Sequence, residues 1–121
     1  MASTAKALNS FFNGFGIPAY SNNSVPDEIA VRHITYSMND PEWSQKASLY
    51  CEVWDRSTSN EFILSKADAI IREIGEGIVI SCDGGFIRIN LENPIVQVRV
   101  DGDYRSAYIN MSMNAFHMPG V

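Results

Sequence analysis

The sequence predicts an α+β fold, in which a mostly antiparallel β-sheet packs with one long central helix and an N-terminal helix in the order α-β-β-α-β-β-β-β. Two observations support this prediction. A stretch in the middle of the chain repeats its apolar residues at helical spacing, and the segments after it alternate apolar with polar residues and meet at Asp-Gly turn signals. The 121 residues suit a single domain, residues 1–121, that can bury a core without disulfides or metals.

The first half of the chain contains the N-terminal helix and two strands. Leu8 and three phenylalanines recur at helical spacing, which predicts an amphipathic helix over residues 3–15, ended by nearby glycines and a proline. The elements expected next are a loop rich in Asn, Ser and Pro at 17–28, a strand at 29–37, a polar loop or extended arm at 38–46, and a strand at 47–54.

The central helix is the clearest element, and it spans residues 59–74. Thr58 and Glu61 have the spacing of a capping box, in which each side chain satisfies a backbone N–H at the start of the helix. The glycines that follow end the helix. The apolar stripe that should lie across the sheet consists of Ile63, Ala67, Ile70, Ile71 and Ile74.

Four strands complete the predicted sheet. Asp-Gly sequences provide two hairpin turn signals, whereas Pro94 is expected to break the run between the second and third of these strands. Pairing across the last turn puts Val96 and Val98 on the same face as Ile109. The four strands are expected at 77–82, 86–91, 95–100 and 104–116.

The chain is acidic and carries few charges. Its formal net charge is −5, and its Lys and Arg residues form no basic run, which argues against a nucleic-acid-binding protein. Charged residues make up 19% of the chain, below the about 25% typical of soluble domains, so part of the surface is expected to be covered by something else. Because the N-terminus is not a convincing signal peptide and no run reaches the length of a membrane span, we expect the protein in a reducing cytoplasm.

One catalytic constellation can be drawn from the sequence. His33, Cys51 and Asp55 are the residue types of a thiol triad. However, Cys51 alternates with Leu49 and Val53, which points it into the core, whereas a nucleophilic thiol needs an exposed, electropositive pocket. A core cysteine and a strand histidine are therefore the preferred interpretation.

The metal-site hypothesis is equally weak. The side chains available to such a site are His33, Cys51, Cys82 and His117. They lack the close sequence pairing that is typical of zinc ligands. The two cysteines are interpreted as buried free thiols. We therefore predict a protein that is not an enzyme, with no catalytic residue, no cofactor and no metal.

Aromatic side chains occupy strand positions where a solvent-facing row is expected. Tyr50, Glu52 and Trp54 alternate with the apolar row of one strand, and Tyr104 and Tyr108 do so in the last strand. Tyr and Trp combine a large apolar area with a polar tip and are enriched at protein interfaces. Either a helix covers these rows within one subunit, or the rows pack on a neighbouring subunit; in the second case these five residues form the subunit interface.

Several motifs follow one another in an order known from one family of viral proteins. An N-terminal helix leads to GIPAYSNNSVPDE, and the strand AVRHITYS follows. The next stretch, WSQKASLYCEVWDRSTS, contains a hydrophobic strand that ends in Trp and is followed by small polar residues. A helix, EFILSKADAIIREI, comes after it. Over residues 5–117 the chain thereby resembles the tail terminator, or tail completion, proteins of long-tailed bacteriophages, as a single tail-terminator-like domain. The long final hairpin, with its Asn- and Met-rich strand, departs from the family pattern.

The resemblance implies a structural role in the virion. Proteins of this family assemble as a ring, usually a homohexamer, on the last ring of tail-tube subunits, where they stop tube polymerisation and provide the head–tail joining surface. The implied partners are further copies of the chain, the tail tube protein and a head–tail connector or head-completion protein, with no membrane. DNA passes through the lumen without specific binding. The implied locations are the tail or neck of the virion and, during assembly, the host cytoplasm.

Two details follow from this expectation. The negative net charge suits a channel that DNA must cross without being held, because like charges repel. On the polar arm, Asp40, Glu42 and Trp43 are candidates for lumen or docking contacts.

Two other functions stay open at this point. Another neck, head–tail connector or tail-tube component would share small α+β subunits and ring assembly. A small ligand-binding or thiol enzyme domain would use a pocket between sheet and helix, and an exposed, reactive Cys51 would be its sign.

Overall fold

Long strands dominate the chain. The structure, a computed structural model, describes residues 2–22, 25–38 and 46–117, and it consists of 51% strand and 25% helix. The elements in chain order are α1 (Ala2–Phe12), a 3₁₀ helix (Asn13–Phe15), β1 (Ala19–Ser21), β2 (His33–Met38), β3 (Lys46–Asp55), α2 (Glu61–Ile74), β4 (Ile78–Cys82), β5 (Gly85–Asp101) and β6 (Tyr104–His117).

The predicted α+β class, with a mostly antiparallel sheet packed with one long central helix, is wrong. The fold is mostly β: α2 has only 14 residues, whereas β5 alone has 17. Six strands curl into a mixed half-barrel, accompanied by two short helices. The predicted order of elements fails as well, because β1 lies inside the predicted loop at 17–28 and two predicted strands form the single strand β5.

The six strands form one sheet in the order β1-β2-β3-β6-β5-β4. Neighbouring strands are antiparallel except β1 and β2, which are parallel. β1 has only three residues, too few to show the alternation of apolar and polar residues that identifies a strand in the sequence. The Asn13 side chain holds it in place by hydrogen bonds with both the N–H and the C=O of Ala19. β6 lies in the middle of the sheet, between β3 and β5.

Both helices pack on one face of the sheet, which we call the inner face; the opposite one is the outer face. Leu49, Cys51 and Val53 of β3 are buried on the inner face, as their alternation predicts. From α1, Leu8 and Phe12 join the same core. The predicted stripe of α2 is confirmed except for Ile71, which is half-buried; its buried members are Ile63, Ala67, Ile70 and Ile74.

β5 continues through Pro94, contrary to the prediction that proline breaks this run. The register between β5 and β6 shifts between Leu91 and Val96, so Pro94 lies in an irregular stretch where its missing N–H removes no regular ladder hydrogen bond. β4 pairs with β5 only as far as Ile89. Beyond the irregular stretch, residues 96–101, which we call distal β5, pair with β6 alone among the described strands.

Val96 and Val98 face the predicted side of the sheet, but their exposure to solvent is unexpected. Val96 pairs with Ile109 and Val98 with Ala107, so these valines face the inner side. Ile109 is fully buried, whereas Val96 is 38% and Val98 42% exposed. Distal β5 thus extends its apolar row beyond the part of the inner face that the helices cover.

The start of α2 differs from the predicted capping box of Thr58 and Glu61. The helix begins at Glu61 with Asn60 as its N-cap, and the Asn60 side chain makes no capping bond. Instead, Asn60 Oδ1 accepts a hydrogen bond of 2.9 Å from the guanidinium of Arg105, which also donates to the Ser57 carbonyl. The Asn60 side chain is therefore engaged in a tertiary contact with β6 and does not cap the helix.

Candidate interaction surface

The predicted interface residues share the outer face of the sheet. Tyr50, Glu52 and Trp54 alternate with the buried residues of β3, and the β3–β6 register brings Tyr104 and Tyr108 to the same side. All five side chains are half-buried. Because α1 and α2 pack on the inner face, neither helix covers this row, and the within-subunit alternative is wrong for the described helices. We call these five residues the outer aromatic surface.

One end of this surface is a stack of two tyrosines. The Tyr50 and Tyr108 rings lie 4.8 Å apart between centroids at an interplanar angle of 25°. The Arg99 guanidinium lies 4.2 Å from the Tyr108 ring centroid, which is a cation–π geometry. Burial, followed by the neighbouring Tyr50, raises the pKa of the Tyr108 phenol, although Arg99 lowers it. The phenol therefore stays protonated and can donate a hydrogen bond at neutral pH.

Trp54 forms the other end of the surface. Its ring stacks on His33 at 6.2 Å between centroids and meets the edge of Tyr104 at 6.4 Å. Its indole N–H donates a hydrogen bond of 3.0 Å to the hydroxyl of Thr35. These contacts hold the tryptophan in place along the sheet. The buried His33 also contacts the Tyr20 ring, and its Nδ1 lies 2.8 Å from the Ala30 carbonyl.

The polar groups of the three β3 residues of the surface, Tyr50, Glu52 and Trp54, are paired within the chain. The buried Ser106 hydroxyl donates a 2.7 Å hydrogen bond to the Glu52 carboxylate, and the Asn22 amide donates a 3.1 Å bond to the Tyr50 hydroxyl. Fixed aromatic rings with satisfied polar ends lose little conformational entropy when a partner covers them. The arrangement therefore suits protein–protein contact.

Arg99 is the member of this site that the sequence analysis missed. It belongs to β5, and the register places it opposite Ser106, next to Tyr108. Only the pairing across two neighbouring strands brings the guanidinium onto the ring. In the sequence, only the alternation of valines with polar residues in β5 could have indicated that Arg99 lies on this face.

The predicted lumen or docking residues cannot be placed relative to this surface. Asp40, Glu42 and Trp43 belong to residues 39–45, which lie outside the described residues.

The thiol triad is wrong on geometric grounds. Cys51 and Asp55 alternate on the inner side of β3, whereas His33 pairs with Trp54 and lies on the outer face. Cys51 is fully buried in the core. Burial, followed by the adjacent Glu52 carboxylate, raises the pKa of the Cys51 thiol above its ordinary value, the opposite of what a nucleophile needs.

Thiol labelling provides a direct measurement of this burial. In the native protein at mildly alkaline pH, we expect an alkylating reagent to modify Cys82, which is half-buried, and to leave Cys51 unmodified. In denaturant both thiols should react. The control is Cys82→Ser, which should show no rapid native labelling. Native labelling of that variant would show that the core around Cys51 opens.

A cavity lies at the start of α2. This cavity of about 370 Å³ is lined in part by Arg32, Asp55 and Phe62. Arg32 donates a hydrogen bond of 3.3 Å to Asp55, and its guanidinium lies 4.0 Å from the Phe62 ring centroid. The lining contains no histidine or cysteine. Within the described residues, no group of three His, Cys, Asp or Glu side chains is close enough to hold a metal ion.

None of the helices in the described part of the chain has the length and apolar character that crossing a bilayer requires.

Comparison with known proteins shows the fold of this chain but not its function. No family model and no curated protein matches the chain. Nine chains of solved structures are similar to it. One of them, designated by a reference number rather than by a function, is 11% identical with a TM-score of 0.66, over 98% of this chain and 94% of that chain. The two chains therefore share a fold over almost their whole lengths.

Proposed function

We propose that this protein is a structural subunit that assembles into a ring and caps the tail tube of a long-tailed bacteriophage, as a tail terminator does. The observation on which the proposal rests is the outer aromatic surface, a set of half-buried Tyr and Trp rings on a sheet face that neither helix covers. The motif order in the sequence, with its resemblance to tail terminators, supports the specific viral role.

A ring subunit needs more than one contact surface. A closed cyclic assembly uses a heterologous interface, in which two different patches of each subunit meet. The outer aromatic surface suits one such contact, because its rings are fixed by ring contacts and the polar groups of its β3 residues are paired within the chain. The tail tube protein and a head–tail connector or head-completion protein are the proposed partners at the two ends of the ring.

The charge of the chain fits a DNA-conducting ring. The formal net charge is −5, so several copies around a lumen would repel the phosphate backbone rather than hold it. In this proposal DNA crosses the ring without specific binding, and the subunit resides in the neck or tail of the virion after assembly in the host cytoplasm.

Tube capping is the decisive experiment. Purified protein is added to polymerising tail-tube protein of the same virus, and tube length is measured by electron microscopy. A terminator should shorten the tubes in proportion to the amount added and should leave a ring at one tube end. Tubes of unchanged length would contradict the proposal, and indefinite growth of tubes from this protein alone would identify a tube subunit instead.

Removal of one aromatic anchor should weaken assembly more than folding. We expect Trp54→Ala to lower the association constant by at least about 30-fold, equivalent to about 2 kcal/mol for a buried interface tryptophan. The same change loses one internal hydrogen bond and the ring contacts with His33 and Tyr104, which together should lower the free energy of unfolding by about 1–2 kcal/mol. Sedimentation measures the first effect and urea unfolding the second.

Phe86→Ala is a matched control for this variant. Phe86 stacks on Phe116 at 5.0 Å on the outer face, but at the opposite end of the sheet. Its loss should leave association nearly unchanged. If Trp54→Ala unfolds as a monomer under conditions where Phe86→Ala stays folded, the tryptophan serves the fold of one subunit and not the contact between subunits.

A further inference from the structure

One side chain joins the first strand of the sheet to the helix before it. Asn13 lies in the 3₁₀ helix between α1 and β1, and its Oδ1 accepts a hydrogen bond of 3.0 Å from the Ala19 N–H. Its Nδ2 donates to the Asn9 carbonyl at 2.8 Å, to Asn9 Oδ1 at 3.2 Å and to the Ala19 carbonyl at 3.2 Å. We call these hydrogen bonds the Asn13 latch.

Few other hydrogen bonds hold β1. It is an edge strand of three residues, and among the described strands it pairs only with β2. Just before β1, the Pro18 carbonyl accepts a bond of 2.8 Å from the Ile34 N–H. Just after it, the Asn22 N–H donates a bond of 2.9 Å to the Tyr36 carbonyl. Because so short a ladder contributes little, we expect the Asn13 latch to determine how often β1 opens.

The residue that follows Asn13 makes its amide chemically labile. Asn13-Gly14 is the only Asn-Gly sequence in the chain. Glycine has no side chain, so its backbone nitrogen can approach the Cγ atom of a preceding asparagine more easily than that of any other residue. Both residues are exposed, and apart from chain neighbours no described atom lies within 4 Å of the position that a Gly14 Cβ would occupy. Solvent water can therefore reach this amide.

The reaction open to this pair is deamidation. The Gly14 backbone nitrogen loses its proton and forms a C–N bond with Asn13 Cγ, which closes a succinimide ring, while the side-chain nitrogen takes up the proton and leaves as ammonia. Water then adds to one carbonyl of the ring and breaks one of its C–N bonds, which leaves an aspartate or an isoaspartate in place of Asn13. Nothing is oxidised or reduced, and water is the co-reactant.

The closed latch opposes this reaction. Because the Asn13 amide must give up its hydrogen bonds before the ring can form, conversion starts from a locally opened state. The 3₁₀ helix Asn13–Phe15 is a single turn, and hydrogen bonds in such short turns have poor geometry. The turn can therefore open while the rest of the sheet stays folded.

The product cannot restore the latch. An ionised carboxylate only accepts hydrogen bonds. One of its oxygens can still accept from the Ala19 N–H, but the other would replace Nδ2 and face the same oxygens without a proton between them. The Asn9 amide is not free to turn and donate instead, because its Nδ2 already donates a bond of 3.0 Å to the Tyr36 hydroxyl.

We infer that Asn13 is a deamidation site whose conversion releases β1 irreversibly, because the carboxylate that forms cannot close the latch again. A transient local opening thereby becomes a lasting change at the edge of the sheet. The inference goes beyond the proposed function. It rests on the Asn13 latch and on the Asn-Gly sequence, so it stands or fails independently of the viral role.

Asn13→Asp tests whether a carboxylate at this position releases β1. In hydrogen exchange followed by mass spectrometry, the backbone amides of residues 19–22 should exchange at least about tenfold faster than in the unaltered protein, whereas those of α2 should be unchanged. Asn93→Asp is the matched control, since it makes the same chemical change at an exposed side chain without a hydrogen bond to the described residues. Equal exchange of β1 in the two variants would overturn the inference.

Mass spectrometry of the folded protein locates the reaction. At mildly alkaline pH, the mass increase that accompanies exchange of an amide for a carboxyl group should accumulate in the peptide that contains Asn13. Gly14→Ala should lose this increase, because its methyl group hinders ring closure, and it should fold normally because the space around Gly14 is open. Equal conversion of Gly14→Ala would overturn the inference. So would a folded protein that never converts while the denatured protein does.

The converted protein provides the last measurement. It carries one more negative charge than the unaltered protein, so ion exchange separates the two. Its β1 amides should exchange as fast as those of Asn13→Asp. If β1 regains native protection after conversion, the latch closes again and the inference is wrong. Tube capping by the unaltered protein is not affected by either result, so failure here leaves the proposed function standing.

Discussion

Replacing Ile109 by alanine is expected to lower the free energy of unfolding by about 2–5 kcal/mol, the cost of a large cavity in a packed core. Ile109 is fully buried on the inner face of β6, the middle strand of the sheet. It pairs with Cys51 on one side and with Val96 on the other. The site has little freedom to collapse, since strands hold it from both sides. Urea unfolding followed by circular dichroism measures the effect.

The control for this substitution is its partner across the ladder. Val96 faces the same side as Ile109 and pairs with it directly, yet it is 38% exposed. In the monomer, Val96→Ala should therefore lower the free energy of unfolding by less than about 1 kcal/mol, since little apolar area leaves the core. An equal loss from the two substitutions would show that distal β5 belongs to the core of the single subunit.

Replacing Asp55 by alanine should have the second-largest effect, a loss of about 1–3 kcal/mol in the free energy of unfolding. Asp55 is 3% exposed, and its Oδ1 accepts hydrogen bonds from the Arg56 backbone N–H at 2.8 Å and from the Arg32 guanidinium at 3.3 Å. Alanine leaves that N–H unpaired. It also releases Arg32 from its position above Phe62.

Asp55→Asn separates the hydrogen bonds from the charge. The amide oxygen can still accept from the Arg56 N–H, while the attraction of the carboxylate for Arg32 is lost. We expect this variant to fall between the native protein and Asp55→Ala in denaturant unfolding. If both variants lose the same free energy, the ion pair with Arg32, and not the backbone bond, accounts for the role of Asp55.

Elements with local signals were predictable from the sequence. The two hairpins carry glycines at positive φ, Gly84 and Gly102, in the Asp-Gly signals that predicted them. The stripe of α2 follows the helical period, and its burial matches the prediction at four of five positions. These features depend on a few neighbouring residues, so a single sequence contains them.

Features that depend on distant strands were not predictable. Pro94 was expected to interrupt the sheet, because the sequence does not show that β4 stops short and leaves an edge that tolerates proline. β1 is a strand only because β2 lies beside it. The fold class was wrong for the same reason: the long, curled strands outweigh the helices, and curl is a property of the assembled sheet.

In the candidate site, too, local features were predictable from the sequence and contacts between distant strands were not. Alternation placed Tyr50, Glu52 and Trp54 on one face of β3, and the structure has them there. Which face the helices cover was not encoded in that alternation, and neither was the contact between Arg99 and Tyr108. Residues 29–32 were predicted as the start of a strand, which would have placed Ile29 and Val31 in a sheet, whereas β2 begins at His33.

The central position of β6 has a consequence for how the chain is made. β6 is the last strand of the sheet in chain order, yet it separates β1-β2-β3 from β5-β4. Its pairs with β3 join residues as distant as Lys46 and Asn114. During synthesis, the earlier strands must therefore wait with open edges until β6 leaves the ribosome. Long-range pairing of this kind is slow and exposes aggregation-prone edges. The sheet is thus completed only after β6 has been synthesised, and a nascent chain that stalls before β6 would present two unjoined half-sheets to chaperones and proteases.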